Sequence, residues 1–319
     1  MSQLVAAGSG VEIDPSDPFA NFATQQLDPA RPLIASRQLR RRQMASRVIE
    51  SGQTAAALFA VAVLAFLVYS VASRGASVLS LEFLTKGPPA IEEAGGGGVG
   101  PEIVGTATLV AFATLMAMPI GILAALYMTE FASSRSARAL RLVLDLLFGV
   151  PSIVIALFAF SLLVVGKGYN GFAGAFALSI IMLPLVARTT QETLLLVPQG
   201  LRDAAAALGV SRWRALRGVV LPSALGGIIT GTVLAVARAA GETAPLLLTN
   251  AFIGKTLDFS IFNQSIPNIP VYIYSASTAA NPSGWARAWG AAFVLLMFIL
   301  AVNIAARTIH ARSRRKLTR

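Results

Sequence analysis

Two charged residues stand where charge is costly. Arg238 and Glu242 lie in Ala237-Arg238-Ala239-Ala240-Gly241-Glu242-Thr243-Ala244-Pro245, inside an otherwise apolar stretch. At bilayer depth an arginine costs about 2.5–3.5 kcal/mol on insertion scales, so it must face a partner or a water-filled path. Four residues apart, the two share a helix face and can pair. Two roles fit this pattern. One is an ion pair that steadies a helix near a bundle interface. The other is an anion-handling site, in which Glu242 holds Arg238 until a substrate competes for it. Gly241 and Pro245 would loosen or kink the helix and expose backbone groups along such a path.

Arg188, in Ala187-Arg188-Thr189-Thr190-Gln191-Glu192, is the second candidate. Thr189 and Thr190 add hydroxyl donors beside it. An arginine that merely marks the end of a helix explains the same residues. A guanidinium suits a tetrahedral oxyanion because its planar fork donates two parallel hydrogen bonds, whereas lysine acts as a point charge. Other chemistries are closed to the chain. It has no cysteine, which excludes disulfides, zinc-thiolate sites and thiol catalysis, and its single histidine, His310, lies in a basic tail. No G-x-x-x-x-G-K-[ST] loop is present, so any ATP hydrolysis must come from a partner. Gly95–Gly100 is glycine-rich but lacks the lysine; it reads as a hinge before a helix more readily than as a phosphate cradle.

The elements that would position these residues are membrane helices. Mean hydropathy is +0.69 and 13% of residues are charged, against roughly 25% in soluble domains. Runs of about 20 apolar residues mark spans. Six are expected: Thr54–Ser73, Val104–Thr129 with a kink at Pro119, Leu146–Gly166, Gly168–Ala187, a fifth opening at Ser223–Ala237 and resuming after the charged pair at Leu246–Leu248, and Ala288–Ala306. The formal charge of +11 is distributed as topology requires rather than as nucleic-acid binding would. Arg37, Arg40, Arg41, Arg42 and Arg47 precede the first span, Arg135, Arg138 and Arg141 follow the second, Arg202, Arg212, Arg214 and Arg217 follow the fourth, and Arg307 to Arg319 follow the sixth. Both termini are therefore expected in the cytoplasm of a multi-pass protein of the cell membrane. Residues 1–36 read as a disordered cytoplasmic tail. Residues 37–75 read as a basic segment with an uncleaved anchor helix, 76–103 as a periplasmic Gly-rich segment, 104–306 as a five-helix transmembrane domain, and 307–319 as a basic tail.

Between the fourth and fifth spans, at about 192–222, runs a distinctive cytoplasmic loop. Leu201, Ala204, Ala205 and Leu208 recur at i, i+3, i+4 and i+7, giving a short helix one small apolar face. Gly209 suits the left-handed position that ends such a helix, and Ser211 suits the cap of a second. That second helix is expected to carry Trp213, Leu216 and Val220 on one side and Arg214 and Arg217 on another. Small side chains let a partner approach closely, as a docking knob would; an ordinary interfacial re-entry loop is the alternative.

The spacing Asp203-Ala204-Ala205, then Gly209, then Val219-x-Leu221-Pro222 resembles the EAA loop of ABC importer permeases, with Asp203 in place of the usual Glu. Together with Gly149-Val150-Pro151-Ser152-Ile153-Val154-Ile155, Arg188-Thr189-Thr190 and the Ala237–Leu247 segment, it is similar to the A permease family of the phosphate-specific transport (Pst) system. The resemblance runs from about Gly95 to the sixth helix and does not explain the N-terminal tail. It implies an all-α permease with a coupling helix at Leu201–Leu208 that sits in a groove of the ATPase. It also implies a phosphate path using Arg188, Arg238 and Glu242, with Thr189 beside them. The implied partners are a second homologous permease, a homodimeric ATP-binding subunit holding ATP and Mg, and an extracytoplasmic phosphate-binding protein. That protein would touch the Gly95–Gly100 segment and the loop Ile253–Gly284, which carries Tyr272 and Tyr274 and could equally be a lid. Rival readings are an importer of molybdate, sulfate or phosphonate, and an ion-coupled secondary transporter. The second is weakened because only one broken segment is evident, where inverted repeats call for two.

Overall fold

The computed structural model describes residues 37–89, 96–251, 260–279 and 281–317, and all regular structure among them is helical. In chain order the elements are α1 (Arg37–Gly75), α2 (Leu81–Thr85), α3 (Gly100–Leu126), α4 (Ser134–Gly149), α5 (Ser152–Leu163), α6 (Gly171–Leu195), α7 (Gln199–Ala207), α8 (Arg212–Ala215), α9 (Leu221–Ala240), α10 (Ala244–Thr249), α11 (Ile269–Thr278) and α12 (Pro282–Leu317). Two π-turns, Tyr127–Phe131 and Leu216–Val220, extend α3 and α8. The expected disordered tail at 1–36, and residues 253–259 and 280 of the loop from Ile253, lie outside the described residues.

The chain divides into Met1–Ala65 and Phe66–Arg319. In the first unit, residues 41–65 are exposed throughout. In the second, the core forms where α3 crosses α6: Leu109, Ala113 and Ala117 meet Ala175, Leu178, Met182 and Val186. Apolar attraction between helices is weak in lipid, so close backbone approach through small residues drives packing there. The crossing of α6 and α9 follows that rule. Gly231 lies directly against the side chain of Thr189, and Gly227 against that of Thr193.

Five described helices are long and apolar enough to cross a membrane, and α4 with α5, bent by 98°, makes a sixth if counted as one. The third span therefore differs from the straight Leu146–Gly166 expected. Leu146–Gly149 closes α4, Val150 and Pro151 are extended, and α5 starts afresh at Ser152. Pro151 is the cause, because it disfavours helical geometry at the residue before it and carries no N–H. Pro119 does not break α3. Part of the loop from Ile253 is also ordered: Asn268 caps α11 by accepting from Val271 N–H at 3.0 Å, and Pro270 fits the first turn of that helix. Buried Asn250 holds the approach to α11. Its amide accepts from Ile266 N–H at 2.8 Å and donates to Ile266 O at 2.7 Å.

Candidate functional site

Arg238 occupies the last turn of α9, which stops at Ala240 with Gly241 as its cap. Glu242 is consequently off the helix, in the three-residue break before α10, and not on a continuous helical face as expected. The pair still forms, with Arg238 Nε 3.5 Å from Glu242 Oε1. The break arises where Gly241 offers no helical preference and Pro245 begins a new helix. Arg238 also lies over the Phe148 ring, 5.4 Å from its centroid. It lines a cavity of about 150 Å³ together with Phe148, Val150, Pro151, Ser152 and Ile181. The proline corner between α4 and α5 thus forms the wall that faces Arg238.

Arg188 projects from α6 and meets two carboxylates, Asp145 at 2.8 Å and Glu192 at 3.2 Å. Asp145 and Phe148 are three residues apart on α4, so their Cβ atoms lie about 5–6 Å apart on one face. One turn of α4 therefore touches both arginines. Sequence reasoning missed Asp145 and Phe148. The signal was available, since Asp145 is the one acid between Glu130 and Glu192, but it falls one residue before the expected span. Two guanidiniums face three carboxylates, so neither arginine is a bare positive site. Thr189, expected beside the path, donates its hydroxyl to Leu185 O at 2.9 Å and packs on Gly231. Its single O–H is already used. Thr190 is fully buried.

At the other end of α6 the chain turns into α7. Ala205 is buried, while Leu201, Asp203, Ala204 and Leu208 are exposed, Leu208 to 82%. The expected apolar stripe is thus split: its inner edge packs on the bundle and the rest stays open. Gly209 ends the helix at φ +69°. Val210 N–H reaches Ala205 O and Gly209 N–H reaches Ala206 O, each at 3.0 Å, the Schellman pattern that favours glycine. Ser211 stands at the start of α8 without a side-chain cap bond. Leu216 and Val220 are buried as expected, but Trp213 is not with them. It is half exposed and carries Arg217 at 5.0 Å from its ring. Trp213 and Arg217 are four residues apart, a spacing that puts them on one helix face, so the expected separation of the tryptophan from that arginine does not hold.

From Gly98 onward the glycine-rich segment is tied to the helix before it. Gly98, Val99 and Gly100 donate their N–H groups to Gly87 O, Phe83 O and Lys86 O at 2.7–2.9 Å. A Cβ at Gly98 would collide with Phe83 O. These donors are spent on α2 and the turn after it, so they cannot bind phosphate.

Comparisons with known proteins bear on the family and the fold. Residues 117–319 match the family model described as binding-protein-dependent transport system inner membrane component. The phosphate transport system permease protein PstA of Haemophilus influenzae is 41% identical over 245 residues, covering 76% of this chain and 85% of that protein. PstA 1 of Mycobacterium tuberculosis is 39% identical over 225 residues, covering 69% and 73%. Among solved structures, a chain of the inward-facing MetNI methionine ABC transporter superposes with a TM-score of 0.54 at 18% identity, over 68% of this chain and 94% of its own. A chain of a bacterial alginate ABC transporter, solved with an alginate-bound periplasmic protein, gives 0.54 at 14% identity, over 86% and 98%. At such identities the likeness is one of fold.

Proposed function

The chain belongs to the family of binding-protein-dependent transport system inner membrane components, among the PstA phosphate transport permeases, and on that premise we propose how it moves phosphate into the cell. It is a membrane permease subunit of an ATP-driven importer, and it hydrolyses nothing itself. Arg238 and Arg188 are successive contacts for the anion, with Glu242, Asp145 and Glu192 as the carboxylates that it displaces. The observation that carries this reading is the turn of α4 that places Asp145 on Arg188 and Phe148 on Arg238. Thr189 sets the spacing of α6 and α9 rather than binding substrate.

Leu201, Asp203, Ala204 and Leu208 on α7 form the surface that a partner ATPase engages, with Ala205 and Gly209 fixing its shape. The partners are a second homologous permease, a homodimeric ATPase carrying ATP and Mg, and an external phosphate-binding protein. Six crossings, with the bent α4–α5 pair as one, put both termini in the cytoplasm, in keeping with the arginines that flank α1 and α12. Tight recognition belongs to the binding protein, and the permease supplies a weak path.

The test is uptake of radiolabelled orthophosphate by phosphate-starved cells in which this chain is deleted and then restored, with ATP depletion as control. High-affinity, ATP-dependent uptake should vanish and return on restoration, and unlabelled sulfate or molybdate should not compete. Uptake that survives deletion, with no second importer present, would move the reading to another oxyanion. Restored uptake that follows the proton gradient would end the ATP-coupled reading.

A further inference from the structure

We infer that Arg202, through Glu130, is the positioning residue that ties the ATPase-facing helix to the membrane helices; this rests on the reading of α7 given above. Arg202 shares the inner side of α7 with Ala205, three residues on. Its Nη2 donates to Glu130 Oε1 at 2.9 Å and to Leu194 O at 2.9 Å, and its Nη1 donates to Val197 O at 3.1 Å and Gln199 Oε1 at 3.4 Å. Both charged side chains are 19% exposed, far less than the Arg188 pairs. Glu130 sits in the π-turn that continues α3, and Leu194 lies in the last turn of α6. One guanidinium thereby grips the ends of the two helices whose crossing forms the core.

The residue type matters. Only arginine presents several donors in a fixed planar fork, so it can hold one carboxylate and two carbonyls at once; lysine keeps the charge and loses the geometry. The last carbonyls of a helix lack intrahelical donors, and Arg202 supplies donors to that region of α6. Removing one member of a largely buried pair leaves the other charge uncompensated. A push on the exposed side of α7 therefore reaches α3 and α6 together instead of being absorbed in the connecting residues Leu196–Pro198. Arg188 stands six residues before Leu194 on the same helix, so the displacement arrives where the anion is handled.

The complete transporter, reconstituted in proteoliposomes with its binding protein, tests this by phosphate imported per ATP hydrolysed. In Arg202→Gln the ATPase subunits should still co-purify and binding-protein-stimulated hydrolysis should stay within twofold. Phosphate per ATP should fall at least tenfold. Glu130→Gln, which keeps an acceptor oxygen, should lose two- to fivefold, and Arg202→Lys should fall between the two. Should Arg202→Gln fail to assemble, those two variants carry the same readout. An unchanged ratio in the assembled variants overturns the proposal. Leu208→Trp, on the exposed side of α7, separates the two readings. If it releases the ATPase while the Arg202 and Glu130 variants couple normally, only the positioning role falls. If it leaves ATPase binding and uptake untouched, α7 is not the driven helix and both readings fall.

Discussion

Gly231→Ala is the substitution whose effect the packing defines most sharply. Gly231 on α9 faces Thr189 on α6, and a Cβ built at Gly231 collides with the Thr189 hydroxyl and lies 2.5 Å from its Cβ. The atom it meets first is on a β-branched side chain whose hydroxyl is tied to Leu185 O, so rotation away is restricted. Relief must come from separating α6 and α9. Overpacking of this kind costs about 1–3 kcal/mol, roughly a 5- to 150-fold shift in the folded-to-unfolded ratio. Separation also moves Arg238, seven residues along α9, away from Arg188, one residue before Thr189, so uptake should fall more than stability alone explains. The assay pairs thermal unfolding of the detergent-purified complex with phosphate uptake, in Gly231→Ala, Thr189→Gly and the double variant. Thr189→Gly alone costs under about 1 kcal/mol of helix propensity, and the double variant should recover most of the loss. Gly218→Ala is the control, since nothing lies within 4 Å of a Cβ there. Additive effects in the double variant, or a Gly231→Ala protein of wild-type stability, would refute the close contact and the spacing role given to Thr189.

Three further predictions rest on separate contacts. Asp145→Asn removes one of the carboxylates on Arg188; because the pair is about half exposed, it is worth about 0.2–1 kcal/mol. Phosphate should be held longer and maximal uptake should fall up to fivefold, with half-saturation unchanged in rate-versus-concentration curves. Gly209→Leu forces a side chain into left-handed geometry at φ +69°, costing about 1–2 kcal/mol; ATP hydrolysis and phosphate uptake, measured together, should become uncoupled. Asn250→Ala leaves the Ile266 N–H without its partner in a fully buried setting, a loss of about 1–3 kcal/mol that thermal unfolding of the purified complex should register.

The spans were legible because hydropathy and charge placement speak directly about lipid. Gly209 was legible too, since a helix that needs a left-handed residue at its end selects glycine. The reading ran out where contacts cross the sequence. Asp145 and Arg188 are 43 residues apart and Glu130 and Arg202 are 72 apart, and no local periodicity relates them. Trp213 was misplaced although its spacing to Arg217, four residues on, already puts the two on one helix face. In the Gly95–Gly100 segment glycine signals close approach, and Gly98 and Gly100 approach the backbone of α2, a contact that the sequence reading did not anticipate.

The most direct measurement is phosphate uptake by proteoliposomes holding the complete importer with Arg238→Ala in this chain. The anion-path account predicts an assembled complex, binding-protein-stimulated ATP hydrolysis, and phosphate uptake reduced at least tenfold. Wild-type uptake would contradict it. Loss of the assembled complex, repeated in Arg238→Gln, would show instead that the pair with Glu242 holds the helix in place and that phosphate passes elsewhere.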